Sequence, residues 1–148
     1  MSRRVAYLLF QSHRKGSYLH DAEVSVQAGQ LRDAGIETDV YDTVFDGDNT
    51  AENDRLLDLL AERLIATRYD LVVVSRLWDV SVTHALIAAV RTRGGTPPRM
   101  LLQPNKTWDD DLGPYDFVSP GTTVTVVDAV ARADDDVALA AIPGLIWR

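Results

Sequence analysis

The 148-residue chain contains no cysteine, which excludes disulfides, iron–sulfur ligation and thiolate catalysis at once. It also lacks any long hydrophobic stretch near its start. The run Val5-Ala6-Tyr7-Leu8-Leu9-Phe10 is too short for a signal sequence or a membrane span and reads as a strand. No membrane association is expected, and a cytoplasmic setting follows by default. Positive charge is scarce as well: the net charge of −7 argues against a nucleic-acid partner, because phosphate backbones require a basic face. No G-x-G-x-x-G turn, Walker loop, G-x-S-x-G elbow or H-E-x-x-H helix is present, so nothing supports an autonomous dehydrogenase, kinase or hydrolase. The three histidines, His13, His20 and His84, form no sequence-local metal motif. Asp46-x-Asp48 lacks the remainder of a calcium loop and suits a turn. No catalytic residue and no metal ligand is therefore assigned.

What the chain does have is ordinary globular composition, with 46% hydrophobic and 25% charged residues, enough for one domain with a real core. Strand and helix patterns alternate along it. Strands are expected over 5–10, 37–41, 71–75, 100–103 and 115–118, the first and third as continuous apolar runs covered on both faces. Helices are expected over 20–34, 54–67, 81–93 and 123–133. In the first, Val24, Ala28 and Leu31 form one stripe, and Gly35 stands where a helix stops. Residues 43–53 read as turn-rich. The acidic triplets Asp109-Asp110-Asp111 and Asp134-Asp135-Asp136 read as solvated loops. This alternation predicts an α/β fold: an open, doubly wound, five-stranded parallel sheet of Rossmann-like or flavodoxin-like type. The domain is expected to span 1–139. The apolar tail 140–148 either lies over the domain's own edge or leads into a further domain.

Open α/β sheets bind ligands outside the carboxyl ends of their strands, near the point where strand order reverses. Four loops qualify. Gln11-Ser12-His13-Arg14-Lys15-Gly16-Ser17 combines hydroxyls, a glycine and two cations ahead of a helix, which suits an anion site and equally an exposed connector. In Ser75-Arg76-Leu77-Trp78-Asp79 the indole either stacks on a flat ligand or caps the core. Gln103-Pro104-Asn105-Lys106 and Ser119-Pro120-Gly121-Thr122 follow the last two strands. The candidate cofactor contacts are thus Gln11, Ser12, His13, Gly16, Ser17, His20, Ser75, Leu77, Trp78, Gln103, Asn105, Ser119, Gly121 and Thr122.

Four segments, in order, carry a resemblance. Leu31-Arg32-Asp33-Ala34-Gly35-Ile36-Glu37-Thr38-Asp39-Val40, Tyr69-Asp70-Leu71-Val72-Val73-Val74-Ser75, Tyr115-Asp116-Phe117-Val118-Ser119-Pro120-Gly121 and Ile142-Pro143-Gly144-Leu145-Ile146-Trp147-Arg148 are spread across nearly the whole chain. Together they resemble the N-terminal cobalamin-binding domain of cobalamin-dependent radical S-adenosylmethionine enzymes. The second segment is similar to that family's "PDLVGIS" strand, and the last is similar to its "IPGLVYR". The resemblance implies a domain that holds cobalamin for a radical S-adenosylmethionine domain or protein, without catalysis of its own. The family's three-cysteine motif is absent. Gln103-Pro104-Asn105 replaces its glycine-rich turn and narrows the slot for the cofactor's nucleotide tail. Ser119-Pro120-Gly121-Thr122 stands in place of its "GEGE". A related cobalamin group ligates cobalt through D-x-H-x-x-G; here His20 has Tyr18 and Glu23 at the flanking positions, and His13-Arg14-Lys15-Gly16 keeps only H-x-x-G. A second resemblance covers one loop: Ser12-His13-Arg14-Lys15-Gly16-Ser17-Tyr18 is similar to the "GSLRKGS" phosphate loop of flavodoxin-like FMN reductases. That implies FMN as the alternative cofactor. A ligand-free protein-interaction domain of the same fold is the third reading.

Overall fold

A computed structural model describes residues 2–12, 22–45, 50–75, 80–103, 113–119, 123–132 and 134–147. The chain runs β1 (Arg4–Ser12), α1 (Ala22–Asp33), β2 (Glu37–Phe45), α2 (Thr50–Thr67), β3 (Leu71–Ser75), α3 (Val80–Thr92) and β4 (Arg99–Gln103). It continues through β5 (Phe117–Val118), α4 (Thr123–Ala131), α5 (Asp136–Ala140) and β6 (Ile146–Trp147). The sheet order is β2-β1-β3-β4-β5-β6, with the first five strands parallel and β6 antiparallel to β5. The expected α/β fold with five parallel strands is therefore present, and part of the apolar tail lies along its edge as a sixth strand.

Side-chain alternation splits the core into two layers. Ala6, Leu8, Val72, Val74, Met100, Leu102 and Val118 meet Leu60, Ala61 and Leu64 of α2 and Leu86, Ile87 and Val90 of α3. Val5, Tyr7, Leu9, Leu71, Val73, Leu101 and Phe117 meet Val24 and Leu31 of α1, Val126, Ala129 and Val130 of α4, and Leu139 of α5. Strands buried on both faces are why their sequences read as unbroken apolar runs. The chain moves from β1 outward to β2, then returns on the other side of β1 to form β3. Strand order reverses between β1 and β3, as it does in flavodoxin-like sheets.

Local chemistry sets the element ends. Gly35 adopts φ +81°, and Ile36 N–H bonds Leu31 O at 3.0 Å while Gly35 N–H bonds Arg32 O at 2.9 Å. These are the two bonds of a Schellman stop, and the accompanying apolar contact is present because Ile36 and Leu31 share a core layer. Two Tyr-Asp pairs start strands by one shared device. Asp70 accepts Arg4 N–H at 2.8 Å and returns its own N–H to Arg4 O at 3.0 Å. Asp116 does the same with Met100, at 2.7 and 2.9 Å. Arg3 pairs with Asp70 at 3.0 Å and Arg91 with Asp116 at 3.5 Å.

Several boundaries differ from those the sequence pattern predicts. β2 continues to Phe45 rather than ending at residue 41, because pairing with β1 carries the polar residues Asp42 and Thr43 along. Thr43 Oγ1 donates to Leu9 O at 3.0 Å. α2 starts at Thr50, four residues early, with Glu52 in its first turn held by Arg55 at 2.7 Å. Asp134-Asp135-Asp136 is more than a solvated loop: Asp134 pairs with Arg3, and Asp135 caps α5 by accepting the N–H groups of Val137 and Ala138, both at 3.0 Å.

Candidate functional site

The parallel register places Leu9, Ser75 and Gln103 side by side, Ser75 and Gln103 as the last residues of β3 and β4 and Leu9 three residues before the end of β1. Ser119 N–H bonds Leu102 O at 2.9 Å, which extends the β4–β5 pairing one step and sets Ser119 beside Gln103. Three neighbouring strands, β3, β4 and β5, thus end at one level, with β1 running past them at Leu9. Two interstrand spacings of about 4.8 Å make this floor roughly 10 Å wide. β1 and β2 do not stop there. They pair on through Phe10↔Thr43, Gln11↔Val44 and Ser12↔Phe45. At about 3.3 Å per residue, these two strands rise roughly 10 Å above the floor as a ledge. The step between ledge and floor falls at the β1/β3 reversal.

Gln11 and Ser12 therefore lie on the ledge, and Ser75, Gln103 and Ser119 on the floor. The other expected contacts, His13, Gly16, Ser17, His20, Leu77, Trp78, Asn105, Gly121 and Thr122, lie outside the described residues. So do Asp46, Asp48 and the acidic triplet at 109–111. Gln103 and Ser119 are both buried. They continue the alternation of Leu101 and Phe117, toward the layer shared with α1 and α4. Neither Nε2 nor Oε1 of Gln103 has a hydrogen-bond partner, although both atoms are shielded from solvent. An unpaired buried amide is rare, because each such group forfeits about 1–3 kcal/mol of lost hydration. The described strand-end residues Ser75, Gln103 and Ser119 are all uncharged.

Beneath the floor the core is packed. Tyr7, Leu31, Leu101 and Phe117 are all fully buried, and the Tyr7 hydroxyl donates to Gln27 Oε1 at 3.0 Å. Pattern reading missed this polar pair. Its signal was available, since Gln27 stands three residues after Val24 on the apolar stripe of α1. His84 is exposed on α3, with its ring edge-on to Tyr115. Among the described residues no group of acidic or histidine side chains is arranged to hold a metal. No described helix is long and apolar enough to cross a membrane.

Apart from Asp42, which stands level with Leu9 on β2, the ionisable chemistry of the described residues lies away from the floor. Tyr69 donates to Asp39 and meets the Tyr41 hydroxyl at 2.8 Å, tying β2 to the start of β3. Burial, followed by the hydrogen bond to Asp39, pushes the Tyr69 phenol well above its usual range. Burial also raises Tyr115, with the nearby Thr83 side chain opposing the shift. A cavity of about 330 Å³ opens at the opposite end of the sheet, between Arg91, Arg99, Tyr115, Asp116 and Asp136. Its cations are already paired, Arg91 with Asp116 and Arg99 with Asp136 at 2.8 Å. It also lies at the amino ends of β4 and β5, the edge that open α/β sheets do not use for ligands.

No family model matches the chain, and neither a curated protein nor a solved structure shows significant similarity to it.

Proposed function

We propose that this chain is a cofactor-holding domain of the cobalamin-binding type, which cradles the corrin over its carboxyl strand ends while a radical S-adenosylmethionine domain or protein supplies the reaction. The observation that carries the reading is the uncharged floor at the strand reversal, bounded on one side by the β1–β2 ledge. A floor roughly 10 Å wide, spanning three strands beside the ledge, suits a large flat macrocycle better than a single phosphate. The residues present fit a corrin laid across the strand ends. Ser75, Gln103 and Ser119 would lie below it, and Gln11 and Ser12 beside it. Among the described residues, Tyr7 and Phe117 fill the layer between sheet and helices beneath the floor. Bound cobalamin would supply the cobalt-centred chemistry; this chain's residues would orient it and exclude water from one face.

FMN is the second reading, favoured by the strand order. In sheets ordered 2-1-3-4-5 the flavin sits at the β1/β3 reversal. Titration of the purified protein with hydroxocobalamin and, separately, with FMN, followed by visible spectra, tests both. Saturable hydroxocobalamin binding supports the first reading, and a red-shifted corrin spectrum would add ligation by His13 or His20. Saturable FMN binding alone favours the second. Binding of neither leaves the ligand-free interaction domain.

A further inference from the structure

We propose that Gln103 is the specificity-determining group of the strand-end site, reading a neutral edge that presents a hydrogen-bond donor and an acceptor side by side. This rests on the strand-end reading and adds the chemical class of what is bound. Both polar atoms of the carboxamide are buried without partners, and the residue as a whole is only 7% exposed. Its place is fixed. It is the last residue of β4, in register with Ser75 and next to Ser119.

A primary amide offers two N–H donors and a carbonyl with two lone pairs in one plane. Phosphate and carboxylate, which present only acceptors, would satisfy Nε2 and set their lone pairs against Oε1. An apolar surface would satisfy neither atom. A carboxamide, lactam or imide edge satisfies both at once, in the two-point manner by which Gln and Asn read a base edge. Corrins carry carboxamides around the rim, and flavins carry an imide edge, so Gln103 selects the amide-bearing part of either cofactor. Phosphate groups are directed elsewhere.

The test uses the full-length ¹⁵N-labelled protein and two small probes of one shape, nicotinamide and nicotinate. The Gln103 side-chain NH₂ resonances are assigned by their loss in Gln103→Met, with Gln103→Leu as the second variant. Nicotinamide is expected to shift them and nicotinate to leave them in place. No shift with nicotinamide, or an equal shift with both, overturns the proposal. Where hydroxocobalamin or FMN binds the wild type, Gln103→Met is expected to weaken it about ten- to a hundredfold. Unchanged binding in that variant would overturn the proposal while leaving the cofactor reading intact, and would assign the amide to buried water. A nicotinamide-selective shift in a protein that binds neither cofactor would do the reverse, sustaining the role of Gln103 and removing the cofactor reading.

Discussion

Gln103→Met removes both unpaired polar atoms of the strand-end amide and keeps nearly the same volume and chain length, so little new cavity or clash is introduced. Each unpaired buried group costs the ligand-free protein about 1–3 kcal/mol, so a full accounting of two would reach several kcal/mol. Local rearrangement around a flexible thioether returns only part of that. The expected gain is about 2 kcal/mol of unfolding free energy. Unfolding entropy of roughly 2.1 cal/mol/K per residue gives about 0.3 kcal/mol/K for a chain of 148 residues. The midpoint should therefore rise by about 6 °C. Differential scanning calorimetry, with urea titration to confirm an unchanged m value, measures it directly. A Met variant less stable than the wild type would mean instead that the amide is already well paired in the free protein. A stabilising loss of a polar side chain is expected at a binding site, where local stability yields to ligand recognition.

The left-handed positions should respond with opposite signs. Gly35→Ala should cost about 1–2 kcal/mol in urea unfolding, since φ is +81° and space is not the obstacle. Arg68→Gly, at φ +57°, should be neutral or stabilising by up to ~1 kcal/mol, and a clear destabilisation would contradict the backbone argument. Asp70→Ala deprives Arg4 N–H of its acceptor and Arg3 of a partner, and should cost about 1–3 kcal/mol by the same assay, with an unchanged midpoint as the contrary result. Alkali should also destabilise the fold. Tyr115 is held neutral in the folded state, mainly by burial, while in the unfolded chain it ionises near 10.0. The unfolded state therefore binds fewer protons above that pH, and stability falls as pH climbs through and beyond it. Tyr115→Phe should flatten the alkaline limb, and an unchanged slope would exclude Tyr115 as a contributor.

The strands buried on both faces were legible because doubly covered strands leave continuous apolar runs, as in Val72-Val73-Val74. Gly35 was legible because only glycine readily adopts the conformation that its stop requires. The end of β2 was not, since Asp42 and Thr43 join the sheet through pairing with β1 rather than through their own propensity. Nor was β6, whose two residues acquire strand character only by lying against β5. Motifs and site separated in an instructive way. The Tyr69-Asp70 and Tyr115-Asp116 pairs, which carried much of the family resemblance, act at the amino ends of strands as reciprocal hydrogen-bonding clasps. Gln103, Ser75 and Ser119 were reachable from the topological rule alone, which places ligands at carboxyl strand ends. That the Gln103 amide is buried and unpaired depends on tertiary packing, and no local pattern encodes it.

Hydrogen exchange of the full chain with and without hydroxocobalamin, with FMN in parallel, decides whether the carboxyl strand ends hold a cofactor. Cofactor-dependent slowing is expected at the strand-end site alone, in peptides that include Leu9–Ser12, Ser75, Gln103 and Ser119. No protection by either cofactor, or protection centred on Arg91 and Arg99 at the opposite edge, would contradict it.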